Sequence, residues 1–194
     1  MARPAEFDRT EVLEKAMHVF WRTGYNATSV TDLVDATSLK PGSLYGAFKS
    51  KRELFVEVID TYAAKSLHRV TSAFEEATSP VNGIELFFNR FCNDLANDEI
   101  GKGCLMVNTM LELATEDDDI RLQVSDYLNQ VEQHFLQAIS EGQQQGEITR
   151  TLSAEDLATS LMTTIWGLRV LSSKRPSRDK YNAIITNTLR SLNA

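Results

Sequence analysis

The chain has 194 residues, 42% of them hydrophobic, and a formal net charge of −7. This length is enough for one full core or for a small module plus a larger domain. No apolar run approaches the roughly 18 residues that a membrane span needs, and the first residues lack the apolar core of a signal peptide. The two cysteines, Cys92 and Cys104, have no metal-ligand spacing, which predicts a reducing, cytoplasmic location with no metal or other cofactor. Helical apolar periodicity and few prolines and glycines predict an all-α protein.

The charge is unevenly distributed along the chain. Residues 1–55 hold eight Lys or Arg against seven Asp or Glu, a net of +1, so the remainder carries −8. Because a local basic patch decides nucleic-acid binding more than the total charge does, an acidic chain of this kind is still compatible with DNA.

The first predicted helix begins at Asp8, where Glu11 completes a capping pattern. Apolar residues then recur every three or four positions until Gly24 ends the helix. This stripe is typical of a core-facing helix rather than of a cofactor site.

Residues 29–48 predict a helix-turn-helix. Ser29 and Asp32 form a capping box, a turn follows at residues 37–40, and Pro41 suits the first position of the second helix. Leu44 and Phe48 lie one turn apart and are expected to face inward. The opposite, DNA-reading face then carries Ser43, Tyr45, Gly46, Ala47 and Lys49.

Two residues of this motif are unfavourable for a helix. Lys40 lies at the N-cap, where a cation opposes the helix dipole, and Gly46 lies inside a short helix. A phosphate beside the helix N-terminus would make Lys40 a contact, and a missing side chain at Gly46 would let the backbone approach base edges. The alternative is neutral drift on an exposed helix.

The rest of the chain predicts six more helices. A long helix from about Ser50 to Glu76 links residues 1–50, interpreted as the DNA-binding domain, to residues 51–194, interpreted as an effector-binding and dimerisation domain. A later helix is expected to end near Glu141, before a polar loop at residues 143–146. The last two helices have wide apolar faces that predict a dimer interface, although they could instead close the core of one chain.

The motif around residues 24–54 resembles that of the TetR (tetracycline-repressor-like) transcriptional regulators, and the order of helices matches them over nearly the whole length. The matching residues are Gly24, Tyr25, Thr28, Ser29, Val30, Leu33, Leu39, Gly42, Ser43, Leu44, Tyr45, Phe48, Ser50, Lys51 and Leu54. The sequence departs from the family at Ser38, where many members have glycine, and at Gly46 and Ala47, where many have larger side chains.

The resemblance implies a repressor that binds a palindromic double-stranded operator as a homodimer paired through its last two helices, and that a small molecule releases. The resemblance implies phosphate contacts by Thr28, Ser29, Tyr45 and Lys51. Lys40, Gly42 and Lys49 are further residues expected to contact DNA. Those expected near bases are Pro41, Ser43, Gly46 and Ala47. The small side chains suggest that thymine-methyl contacts and DNA shape carry more of the specificity.

The effector pocket is predicted from residue type. Its candidate residues, which favour an apolar or aromatic molecule, are Phe87, Phe88, Phe91, Cys104, Met106, Met110, Tyr127 and Trp166. Cys104 also resembles the sensor position of a subgroup that detects electrophiles or oxidants, and a helix start with Lys102 nearby would favour its thiolate. The alternative is that Cys104 is a small packing residue.

Two other classes of function are alternatives to a DNA-binding regulator. An all-α enzyme or carrier finds little support, since His18, His68 and His134 are scattered and no glycine-rich phosphate loop is present. The aspartates at 117–119 also lack the alternating spacing of a calcium loop. A helix-turn-helix that acts mainly through partner proteins is the other alternative.

Overall fold

A computed structural model describes residues 7–98 and 101–193. Within these ranges the chain forms nine α-helices: α1 (Arg9–Thr23), α2 (Val30–Thr37), α3 (Pro41–Phe48), α4 (Lys51–Glu75), α5 (Pro80–Ala96), α6 (Leu105–Leu113), α7 (Asp118–Gln145), α8 (Ala154–Ser172) and α9 (Arg178–Arg190). The predicted all-α class with an N-terminal helix-turn-helix is confirmed. No helix in the described part of the chain is both long enough and apolar enough to cross a membrane.

The helices pack into two compact units that do not follow the chain order. The first contains the described residues up to Ala64 together with Leu105–Val124, and the second contains the described residues of 65–104 and those from Ser125 onward. The division by packing therefore differs from a boundary at residue 50, because α6 and the start of α7 pack with the helix-turn-helix. The assignment of DNA binding to residues 1–50 and of effector binding to residues 51–194 stays a prediction.

The first unit has a core built where α1, α3 and α4 meet. Phe20 and Phe55 are almost fully buried, and their rings lie 4.8 Å apart in an edge-to-face arrangement. Leu44 and Phe48 of α3 are 3% and 2% exposed, so both residues expected to face inward do so. Burial of these two side chains on one face leaves the other face of α3 free.

The second unit has an aromatic core. Phe135 of α7 contacts Phe74, Phe87 and Phe88, with ring centroids between 5.0 and 6.3 Å apart. Gly83 permits this packing, since a Cβ there would lie 2.3 Å from the ring of Phe74. Buried side chains of α8 and α9 complete the core.

Helix α7 is longer than the sequence indicated. It ends at Gln145 rather than near Glu141, and residues 143–145, expected to form a loop, are helical. Gly146 then adopts a left-handed φ of +79°, which lets the amides of Glu147 and Ile148 both donate to the carbonyl of Gly142. This glycine cap stops the helix one turn later than its polar composition suggested.

Candidate nucleic-acid interface

Helix α3 exposes one complete face. Ser43 and Gly46 are exposed, and Tyr45 is 42% exposed, an unusual value for a large aromatic side chain in this protein. A Cβ added at Gly42 or Gly46 would meet no atom within 4 Å. The face therefore consists of small side chains around one ring, a shape that can lie close to another surface.

The N-terminus of α3 has no side-chain cap. Lys40 occupies the N-cap with extended backbone angles, and Pro41 follows at the first helical position, both as predicted. An uncapped helix N-terminus carries partial positive charge from its amides, and here a lysine adds a full charge. This combination favours an anionic partner such as a phosphate.

The turn before α3 holds Ser38 in a left-handed conformation, with φ of 60° and ψ of 18°. Glycine adopts these angles without the Cβ clash that costs other residues roughly 1–2 kcal/mol. The departure from the family pattern at this position therefore places a serine where the backbone requires a glycine-like conformation.

The C-terminus of α3 is also conformationally unusual. Lys49 has φ of 61° and ψ of −50°, and the Ser50 amide donates to the Phe48 carbonyl at 2.6 Å, which closes a three-residue γ-turn. A γ-turn with a positive central φ is rare and costs on the order of 1–3 kcal/mol. As a result only two residues separate α3 from α4, and the Ser50 hydroxyl accepts from the Glu53 amide at 3.0 Å.

The predicted capping box of α2 is present. The Ser29 hydroxyl accepts from the Asp32 amide while the Asp32 carboxylate accepts from the Ser29 amide at 2.8 Å. Hydrogen bonds from Ser29 hold the pKa of the Asp32 carboxyl below its ordinary value. Thr28, in contrast, is only 1% exposed and its hydroxyl donates to the Gly24 carbonyl at 2.5 Å. A phosphate contact through the Thr28 side chain stays a prediction.

Lys51 has internal partners. Its ammonium donates to the carbonyls of Tyr25 and Thr28 at 2.8 and 2.9 Å and lies 4.3 Å from the centre of the Tyr25 ring. Lysine has three donors, so two are used to hold the loop between α1 and α2. The sequence did not indicate this role, because the partners lie 26 and 23 residues away.

Three further basic residues lie next to α3 in the sequence, Lys40 before it and Lys49 and Arg52 after it. Arg52 binds Asp117 through two nitrogens at 2.7 and 2.9 Å, and this ion pair lowers the pKa of the Asp117 carboxyl. Lys40 and Lys49 are exposed and have no ion-pair partner within residues 7–98 and 101–193. These two lysines flank α3 and are the cations that the fold leaves available at its ends.

A carboxylate from α6 supports the loop that precedes α2. Glu112 accepts hydrogen bonds from the amides of Tyr25 and Asn26 at 2.9 and 2.7 Å. Gly24 makes room for it, since a Cβ at that position would lie 2.8 Å from a Glu112 oxygen. The first unit thus needs α6 to complete the loop, a link of more than 80 residues that no local pattern indicates.

The predicted pocket residues are distributed over both units. Phe87, Phe88 and Phe91 are at most 7% exposed and belong to the aromatic core of the second unit, as shown by their ring contacts. Met106 is buried in α6 of the first unit and Met110 is half-buried there, while Cys104, Tyr127 and Trp166 are half-buried in the second. A role in effector binding stays a prediction for each.

The second unit also has an open groove of about 320 Å³ between α4 and α7. Five of its seven lining residues are polar or charged types, and none is a predicted pocket residue: Thr71, Phe74, Glu75, His134, Gln137, Ala138 and Glu141. No cluster of three His, Cys, Asp or Glu side chains that could hold a metal ion occurs in the part of the chain described.

Two family profiles match the chain, one over the helix-turn-helix and one over most of the later helices. The profile described as bacterial regulatory proteins, tetR family, matches residues 12–58, which include the helix-turn-helix and its exposed α3. The profile described as tetracyclin repressor-like, C-terminal domain, matches residues 80–186. The chain belongs to the TetR family. As a TetR-family member it is a DNA-binding transcriptional regulator, as the helix-turn-helix predicted.

Two relatives of the chain are named transcriptional repressors, and one similar solved structure is a TetR-family regulator bound to DNA. The chain is 32% identical over 189 residues to the transcriptional repressor ComR of Escherichia coli strain K12, covering 97% of this chain and 90% of ComR. It is 28% identical to the repressor DhaR of Mycobacterium sp. strain GP1, with 93% and 91% of the two chains covered. A cysteine mutant of the TetR-family regulator CifR, solved with a 26-base-pair operator DNA, matches with a TM-score of 0.82, 28% identity, and coverage of 98% of this chain and all of that one.

Proposed function

We propose that this TetR-family regulator is a homodimeric repressor that inserts α3 of each subunit into successive major grooves of a palindromic operator. The observation that carries the proposal is the exposed face of α3, together with the helix N-terminus, where Lys40 occupies the N-cap position without a side-chain cap hydrogen bond. The relatives ComR and DhaR, both named repressors, support the same direction of regulation.

The contacts proposed for this interface follow from which groups remain available. Lys40 and the N-terminal amides of α3 face one phosphate, and Lys49 at the other end of the helix faces a second. Tyr45, with its exposed hydroxyl-bearing ring, reaches a third, while Ser43 and the backbone at Gly46 approach base edges. Because the side chains on this face are small, DNA shape contributes much of the sequence preference.

The experiment is a gel shift on the DNA flanking the chain's own gene, over a series of salt concentrations. We expect Lys40→Met and Lys49→Met each to lower the salt slope by about one, the value for one lost phosphate contact. Lys174→Met, an exposed lysine in the loop after α8, is the matched control and should leave the slope unchanged. Salt-independent binding, or equal effects of all three variants, would contradict the interface.

The proposed dimer uses α8 and α9. Thr163, Gly167 and Val170 form an exposed stripe along α8, and Val170 is 62% exposed although it is apolar. Ala183 and Thr186 are exposed on α9. Small residues allow close helix approach, and two-fold operators require a two-fold protein whose reading helices lie about 34–36 Å apart.

The dimer is tested with Gly167→Glu, which places a charge on the α8 stripe at a position where an added Cβ would meet no atom within 4 Å. Light scattering at several concentrations should show a dimer for the natural sequence and a monomer for the variant. Gln133→Glu, on an exposed position of α7, adds the same charge elsewhere and should stay dimeric. If Gly167→Glu remains a dimer, α8 is not part of the dimer interface.

The effector is proposed to be a small apolar or aromatic molecule bound by the second unit. The support is the concentration of aromatic side chains there, including half-buried Tyr127 and Trp166. In a Trp21→Phe background Trp166 is the remaining tryptophan, so its fluorescence reports on this unit. Aromatic compounds that change this fluorescence should also weaken operator binding, since an effector must favour one of two states.

A second candidate is control of the repressor through the thiol of Cys104. This side chain is half-exposed directly before α6, whereas Cys92 is buried, its thiol donates to Asn182 at 3.1 Å, and burial raises its pKa. Helix N-termini favour thiolates, which are the reactive form. Alkylation should release the operator from the natural protein and from Cys92→Ser, but not from Cys104→Ser. Release from Cys104→Ser as well would exclude this candidate.

A further inference from the structure

The C-terminal end of α3 is strained. The γ-turn at Lys49 gives the residue that follows α3 a strained positive φ, which the surrounding fold must maintain. The end of α3 that leads into this turn, Ala47 and Phe48, is therefore expected to be held from elsewhere in the fold. They also follow directly on Gly46, at the centre of the exposed face.

Arg9, at the start of α1, holds both of these residues. Its Nη1 donates to the Ala47 carbonyl at 3.2 Å, one of the terminal carbonyls that a helix leaves without an internal partner. Its guanidinium carbon lies 4.2 Å from the centre of the Phe48 ring, in a cation–π contact. The positive charge also suits the negative end of the α3 dipole.

The same guanidinium is fixed in turn by α4. Its Nε donates to Glu57 Oε2 at 3.1 Å, and its Nη2 lies 2.6 and 2.8 Å from the two Glu57 oxygens. A fork of this kind defines both distance and plane, which a single point charge cannot do. One side chain thus joins α1, α3 and α4 at the end of the reading helix.

We propose that Arg9 is a positioning residue for operator recognition, which sets the C-terminal end of α3 through Ala47 and Phe48 and makes no phosphate contact itself. All three of its guanidinium nitrogens donate within the first unit. The Arg9 and Glu57 side chains are 47% and 35% exposed, and half-exposed pairs contribute little to global stability. The contact therefore serves geometry rather than folding. This inference rests on operator binding through α3.

The test compares Arg9→Lys, Arg9→Met and Glu57→Gln in binding to the operator and to a scrambled duplex over a salt series. Each variant should lose about tenfold in operator affinity, the scale of one base-pair contact, with unchanged affinity for the scrambled duplex and an unchanged salt slope. Arg9→Lys keeps the charge but not the fork, so it should fail to restore binding. Thermal unfolding before each titration shows that the variants are folded.

Other outcomes overturn the proposal in distinguishable ways. If Arg9 were a phosphate contact, Arg9→Met would lower the salt slope by about one and Arg9→Lys would recover it. If its role were only structural, melting temperature and both affinities would fall together. Full operator affinity in Glu57→Gln would also refute it. If the protein does not bind the operator at all, the natural sequence itself will show no salt-dependent shift, which distinguishes this failure from a failure of the Arg9 proposal.

Discussion

Both compact units bury aromatic rings, but they differ in how far charged side chains take part in their packing. In the first, charged side chains bind the backbone: Lys51 holds two carbonyls, Glu112 holds two amides, and Arg9 holds the carbonyl of Ala47. In the second, three phenylalanine rings pack around Phe135. Because α3 leaves one face exposed, directional charge-assisted hydrogen bonds to the backbone add to the core of the first unit at its loops. Burial of the aromatic rings is the main apolar contribution in the second.

The largest effect should come from the aromatic core. Phe135→Ala removes a fully buried ring and leaves a cavity, which costs about 3–5 kcal/mol of unfolding free energy and roughly 10 °C in melting temperature. Denaturation with urea, followed by circular dichroism, measures the loss. Phe135→Leu, which keeps most of the volume, should cost clearly less. Equal costs for both would show that the ring contacts do not carry the core.

The next effect tests the charged contacts of the first unit. Lys51→Met leaves the carbonyls of Tyr25 and Thr28 without their donor, and we expect a loss of about 1–3 kcal/mol. Lys49→Met is two residues away, exposed and unpaired in the described chain, so it should stay within about 0.5 kcal/mol of the natural protein. A comparable loss for both lysines would contradict the internal role of Lys51.

A smaller effect separates stability from function within the helix-turn-helix. Gly46→Ala should add about 1 kcal/mol through helix propensity but weaken operator binding, because the new methyl group lies on the reading face. Ser38→Gly should add a similar amount by relieving the left-handed strain, with operator affinity unchanged. Melting curves and gel shifts on both variants check this. Unchanged affinity in Gly46→Ala would mean that the backbone there stays away from DNA.

The smallest effect concerns pH. Arg52 lowers the pKa of Asp117, so the folded state favours the ionised carboxylate and the pair stabilises the protein above the unfolded pKa of about 4. That contribution, about 1 kcal/mol or less, is lost as the pH falls through the lowered folded value. Asp117→Asn should therefore melt earlier than the natural protein at pH 7, and the difference should shrink as the pH falls below about 4. Asp118→Asn, whose partner Arg121 is one turn away on the surface, is the control.

Local patterns in the sequence predicted much of the helix-turn-helix. The capping box of Ser29 and Asp32, the position of Pro41 and the burial of Leu44 and Phe48 all depend on neighbours within four residues. These features are confirmed because helix starts and apolar faces are determined by short-range hydrogen bonding and spacing.

What could not be predicted depends on residues far apart in sequence or on backbone angles. Lys51, Arg9 and Glu112 find their partners 23 to 87 residues away, and nothing in the local pattern distinguishes these charges from solvent-exposed ones. The positive φ of Lys49 could not be predicted from its residue type, because glycine is the residue expected at such an angle. The effector stays undefined because the side chains that could line a pocket are the same types that build a core.

The chain passes from one compact unit to the other three times, within α4, just before α6 and within α7. A fragment truncated at Ala64 would keep the helix-turn-helix but would lose Glu112 and Asp117, so the Tyr25 and Asn26 amides and Arg52 would lack their carboxylates. Excising the reading module as a minimal DNA-binding reagent should therefore require residues 105–124, supplied as a complementing peptide or fused through a designed linker.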